Sequence, residues 1–188
     1  MNMTVEKINV TDSADASVER GGTFGSKVDP HGYYTFECVG PDGGLKWKDE
    51  IHNIVATVGK NALLDVFFGT GVQGAGKTTW FMGLANSSPT VAAGDTMSSH
   101  SGWAEKTGYS QSARPQIAFS AASSGSKATS SAVSFSINAT ATVGGAFVAN
   151  NSTKGGTAGT LYSAGAFTVG DKIVTSGDTI NVTYTASA

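Results

Sequence analysis

The chain has 188 residues, of which 39% are hydrophobic and only 14% charged, with a formal net charge of −2. That length suits one domain with a real core, and the missing basic field argues against direct binding to nucleic acid or to an anionic membrane. A single cysteine, Cys38, excludes an intrachain disulfide framework.

Residues 1–27 are polar and glycine-rich, without a sustained period, and read as an extended N-terminal arm ahead of a domain spanning 28–188. No positively charged, apolar leader opens the sequence, so no secretory signal is expected. Within the arm, Thr4–Val10 holds Val5, Ile8 and Val10. These three suit a short edge strand better than a helix, and they are the candidate partner-binding residues, added to a neighbour's sheet.

Tyr33–Val39 is aromatic and β-branched, Pro41-Asp42-Gly43-Gly44 has turn chemistry, and Leu45–Ile51 alternates apolar with polar. Together they predict a β-hairpin. Val58, Ala62, Leu63 and Val66 then fall at helical spacing, with Phe67 beside them and Gly69 placed as a C-terminal cap. Their apolar stripe is expected to face a sheet, with Trp80, Phe81 and Leu84 of the next segment packed against Leu63 and Val66. Thr79–Ala85 reads as a buried strand, and Asp95–His100 as an Asp-capped helical turn.

Beyond Pro115 the texture changes. Gly, Ala, Ser and Thr fill 32 of the 45 positions from 121 to 165. Small residues at that density leave little side-chain entropy to lose and favour flat sheet contacts. Val133, Phe135 and Ile137, then Gly145–Ala149, Thr160–Tyr162, Lys172–Thr175 and Asp178–Thr185 read as short strands between turns. That rhythm predicts a mainly β protein: an antiparallel β-sandwich or jelly roll with one short helix packed on it. No run of 18 apolar residues is present to span a membrane as a helix.

Gly71–Thr78 matches the phosphate-loop pattern at Gly71, Gly76, Lys77 and Thr78. A working loop needs a strand before it and a helix after it, in a parallel sheet. Here the flanks read as helix before and strand after, so the match is attributed to chance in a glycine-rich loop, and no cofactor is expected. Asp95, Ser98, Ser99 and His100 lie too close in sequence to suggest a convergent catalytic triad. His31, His52 and His100 lack metal-ligand spacing. Trp47, Trp80 and Trp103 sit in or beside apolar segments and read as core.

Several stretches together carry a resemblance: Trp47–Asn53, Val58–Asn61 with Leu63-Leu64-Asp65, Trp80–Leu84, Asp95–Glu105, Tyr109-Ser110, Arg114-Pro115, Gly145–Phe147, Gly159–Ser163 and Gly177–Tyr184. The chain resembles small virion structural proteins of tailed bacteriophages from about residue 31 onward. The resemblance implies a non-enzymatic particle component, foremost a capsid cement or decoration protein. Such a protein would bind the major capsid protein or other virion proteins, with homo-oligomeric contacts on the particle and without direct nucleic-acid or membrane contact. It would be located in the virion. The alternatives are a tail or fibre component, a carbohydrate-binding sandwich and, remotely, a P-loop nucleotide-binding protein.

Overall fold

The first described element follows from strict alternation. In the computed structural model, which describes residues 29–68, 79–124 and 126–187, strand β1 (His31–Val39) buries Tyr34, Phe36 and Cys38 and turns Tyr33, Thr35 and Glu37 outward. Its partner β2 (Leu45–His52) returns through the expected turn, where Gly43 has φ +81° and Gly40 N–H donates to Gly44 O. The register slips between Cys38 and Val39: Trp47 faces Cys38 and Leu45 faces Val39, leaving Lys46 as an extra residue. This bulge brings Lys46 and Trp47 to bear on the core side together. Lys46 reaches buried Asp178 at 2.6 Å, while the Trp47 ring meets Phe167 edge-on at 5.9 Å.

The remaining strands are β3 (Ile54–Val55), β4 (Phe81–Ala85), β5 (Glu105–Lys106), β6 (Ser126–Ala128), β7 (Val133–Ser136), β8 (Ala141–Val143), β9 (Gly145–Ala149), β10 (Leu161–Ala166), β11 (Lys172–Val174) and β12 (Thr179–Ser187). Sheet A runs β2-β1-β12, and β12 is flanked on its far side by β6 and β7, end to end. Sheet B runs β3-β10-β9-β4-β5, and β8 and β11 form a separate ribbon. Every pairing between these strands is antiparallel. The protein is therefore mainly β with antiparallel sheets, as the sequence rhythm predicts.

The main core lies between the two sheets. Tyr34, Phe36, Ile51, Phe135, Ile180, Val182 and Tyr184 from sheet A meet Met82, Leu84, Ala146 and Val148 from sheet B. A second apolar layer covers the other face of sheet B, where Ala85, Phe147, Ala149, Leu161 and Ala164 pack with Ala56, Met97 and Trp103. Strand β9 is thus apolar on both faces and buried along its whole length. That is why Gly145–Ala149 does not alternate in the sequence.

Helix α1 (Thr57–Phe68) belongs to this outer layer. Val58 packs against it, and Thr57 donates its N–H and its hydroxyl to Ala93 O. Gly59 is a poor helix former, yet it sits where the helix crosses β10. A Cβ there would lie 2.6 Å from Tyr162 O, so glycine is what permits the close approach.

Two expectations are corrected. Leu84 faces the inter-sheet core instead of the helix, and Trp80 packs on that same core with its ring 5.4 Å from Tyr162. The layer beneath the helix is made by Phe147, Ala149 and Leu161. Leu63 is only partly buried, and the side chain of Val66 and residue Gly69 lie outside the described residues. The Asp-capped helical turn at Asp95–His100 is also absent. Those residues form tight turns closed by a Thr96–Ser99 bridge. The Asp95 carboxylate is engaged elsewhere, accepting from Ala92 N–H at 3.0 Å and from the Trp103 indole at 2.9 Å.

Candidate interaction surface

The sandwich is asymmetric. Sheet B is covered on its outside by α1 and the 86–104 segment, whereas among the described residues nothing comparable covers the outside of sheet A. The register brings Tyr33, Thr35 and Glu37 of β1 beside Thr185, Thr183 and Asn181 of β12 on that outer face. Lys48, Glu50 and His52 flank them on β2, and Ser134 and Ser136 on β7. Short hydroxyl and amide side chains dominate, so the face is flat and low in rotamer entropy.

Its polar groups largely satisfy one another. Lys48 pairs with Glu37 at 2.9 Å, Ser134 Oγ donates to Asn181 Oδ1 at 2.6 Å, and Ser126 and Ser187 hydroxyls meet at 2.8 Å. The surface offers no nucleophile–base pair and no strong field.

Two buried polar assemblies back this face, and a third stands on the far side of sheet B. Asp178 Oδ2 accepts from Lys46 Nζ and from the N–H and hydroxyl of Thr175, with Cys38 Sγ 3.9 Å away. Burial alone would push the Asp178 carboxyl up, but these bonds outweigh it and hold the group below the usual carboxylate range. Tyr34 OH lies 2.7 Å from Ser163 Oγ, and Tyr184 OH accepts from Asn53 Nδ2 at 3.1 Å. Arg114 is the third centre. It grips Glu105 with Nε and NH2 at 3.0 and 2.7 Å, and donates to Asn151 O and Gly156 O. Glu105 and Arg114 stand nine residues apart, and no local sequence pattern pairs them. The available signal was their scarcity, because a chain so poor in charge places few charged groups without a partner.

Compared with family models, with curated proteins and with solved structures, the chain matches none.

Val5, Ile8 and Val10 lie outside the described residues, as do Gly71, Gly76, Lys77 and Thr78. The flanks of that last group are described: α1 precedes it and β4 follows it, inside an antiparallel sheet. This order is the reverse of the strand–loop–helix a phosphate loop requires. His100 stacks on Trp103 at 4.0 Å and bonds Trp103 O through Nδ1, while Asp95 takes the Trp103 indole. His100 and Asp95 thus both serve Trp103 and are not linked to each other as base and orienter. No group of three metal-binding side chains occurs among the described residues. Trp103 is buried, and Trp47 and Trp80 are partly buried against the core, as expected for core tryptophans.

The buried hydroxyls and thiol set a pH limit. Burial first, then neighbouring groups, raises Tyr34, Tyr109 and Tyr184, and pushes the Cys38 thiol up to about 11. In each case the folded state favours the protonated form more than the unfolded chain does. The resulting stability is complete below the unfolded values, about 8.5 for Cys and 10 for Tyr, and is lost as pH rises past them. Melting temperature is expected to fall between pH 9 and 11, with phenolate absorbance from the buried tyrosines rising only on unfolding. An unchanged melting temperature across that range would contradict the assignment.

Proposed function

We propose that the protein is a non-enzymatic structural component of a tailed-bacteriophage particle, foremost a cement or decoration protein that binds the capsid shell. The observation that carries the binding role is the open outer face of sheet A, flat, hydroxyl-rich and nearly neutral, on a sandwich whose opposite side is covered. The tie to a phage virion and to the major capsid protein comes from the sequence resemblance between about residue 31 and the end.

Magnitudes favour repeated contacts. Strands of nine residues at about 3.4 Å each, four abreast at about 4.8 Å, give a face of about 600 Å². A standard interface takes about 800 Å² from each partner. One face alone falls short, so attachment calls for a second contact or for symmetry on a lattice. The N-terminal segment supplies such a contact in this reading.

Two measurements test it. Thr183 stands outward near the centre of the face. Thr183→Arg leaves the core untouched, so stability is expected to change by no more than about 0.5 kcal/mol. Attachment to purified particles lacking the protein should weaken at least tenfold, counted as copies per particle by mass spectrometry. Full attachment by this variant would move the contact to another surface. For the nucleotide alternative, calorimetry with magnesium and ATP is expected to give no binding heat. Saturable heat abolished by Lys77→Ala would replace the structural reading.

A further inference from the structure

The sheet edges differ in how they are finished. Beside β7 and β6, Ser110 N–H donates to Ser136 O at 2.8 Å, and Ser130 N–H to Ala118 O at 2.8 Å, so that side of sheet A is covered. Sheet B ends in the two-residue strands β3 and β5. Among the described residues, β2 is the one long edge left open.

Its hydrogen-bonding phase is fixed. Asn53 N–H donates to Gly32 O at 3.0 Å, so alternate residues Ile51, Asp49 and Trp47 bond β1 while Lys48, Glu50 and His52 direct their backbone groups away. Glu50 N–H agrees with this, since it takes the Asp49 carboxylate at 2.8 Å in place of β1. Trp47, on the same edge strand, has a buried indole N–H with no partner.

We propose that β2 is a strand-acceptor edge and that its occupant is Thr4–Val10 of a second copy of this chain. This rests on the reading of the protein as an assembling structural component. Twenty-eight residues precede Asp29, the first described residue, and they join sheet A at the start of β1, beside His52. Extended, they span about 90 Å, against about 27 Å for the eight residues of β2. That reach is enough to take the segment past its own domain to a neighbour.

Charge supports the pairing. The outward side chains Lys48 and Glu50 alternate in sign, and of Glu6 and Lys7, which point to opposite faces of a strand, Lys7 is the one that meets this face. An antiparallel register with Lys7 opposite Glu50 sets Asn9 opposite Lys48 and Val10 opposite Trp47. The same charges, with the bulge at Lys46, discourage pairing with unrelated apolar strands.

The decisive variant is Lys48→Pro. The Lys48 N–H points away from β1, and proline is tolerated on edge strands at such positions. The fold is kept while strand addition loses a donor. Sedimentation of the full chain over a concentration series should show self-association. Lys48→Pro, and separately deletion of residues 2–10, should each weaken it at least tenfold with little change in melting temperature. The proposal is overturned if Lys48→Pro associates like the parent, or if the parent stays monomeric throughout. It is also overturned if a monomer shows Lys48 and Glu50 amides protected by its own residues 2–10, a protection lost on deleting them. All of this is measured without particles, so failure here leaves the Thr183→Arg test of particle binding standing on its own.

Discussion

Replacing Arg114 with alanine is expected to destabilise the protein by about 3–5 kcal/mol, the cost of breaking a buried ion pair by removing one partner. Arg114 is 2% exposed, and its guanidinium satisfies the Glu105 carboxylate, two carbonyls and, at 5.1 Å, the face of the Phe147 ring. Without it, Glu105 keeps only the Gly155 N–H and a long contact from the Tyr109 hydroxyl, in a position where its side chain is 7% exposed. Arg114→Lys should recover less than half of the loss. An ammonium keeps the charge but lacks the planar fork that reaches Glu105, Asn151 and Gly156 together. Thermal melts should fall by about 6–20 °C, at 2–4 °C per kcal/mol for a chain of this size. A loss under 1 kcal/mol for the alanine variant would mean that the clamp is not formed in solution. Lys154 secures the same loop independently, donating to Tyr109 O and Gln111 O at 3.0 and 2.6 Å. Arg114→Ala is therefore expected to loosen the 150–159 segment without unfolding sheet A.

The parts of this fold that show in the sequence are those set by local chemistry. The β1–β2 hairpin is visible because its alternation and its Pro-Asp-Gly-Gly turn lie within twenty residues. The helix is visible because Val58, Ala62 and Leu63 keep a 3.6-residue period. What local pattern could not supply is which face of a strand meets which layer. Gly145–Ala149 is apolar on both sides, and Leu84 turns to the inter-sheet core because Gly83, its neighbour, lies under the Phe147 ring. The turn at Asp95–His100 departs from its sequence pattern for a related reason. Its Asp has the right type and place for a helix cap, but an indole eight residues on competes for the carboxylate. The ion pairs joining Lys46 to Asp178 and Arg114 to Glu105 depend on register and loop path, which composition does not encode. The outer face of sheet A was half visible. The Ser, Thr and Asn positions of β12 and β7 stand out, whereas their exposure as one surface depends on what covers each sheet.

Phe147→Ala is the second large effect expected, at about 3–5 kcal/mol. The Phe147 ring is fully buried in the layer between sheet B and its outer cover, 5.0 Å from the Trp103 ring. It fills the space over Gly83, where an added Cβ would stand 2.2 Å from a ring carbon. The two positions therefore form one packing unit, glycine beneath and ring above. Gly83→Ala alone should cost about 1–3 kcal/mol by overpacking. Once the ring is gone, the same methyl enters empty space and should restore part of the loss. The double-mutant cycle is expected to give a coupling of at least 1 kcal/mol in the favourable direction. Simple additivity would mean that Phe147 does not sit over Gly83. Arg114 belongs to this unit through its contact with the ring, so Arg114→Ala and Phe147→Ala should also fail to add. The Thr183 surface lies beyond the main core on the far sheet. Below their lowered melting temperatures, both variants should attach to particles as the parent does. Loss of attachment by Phe147→Ala while folded would instead place the contact on the covered side of sheet B, and would overturn the assignment of sheet A as the docking face.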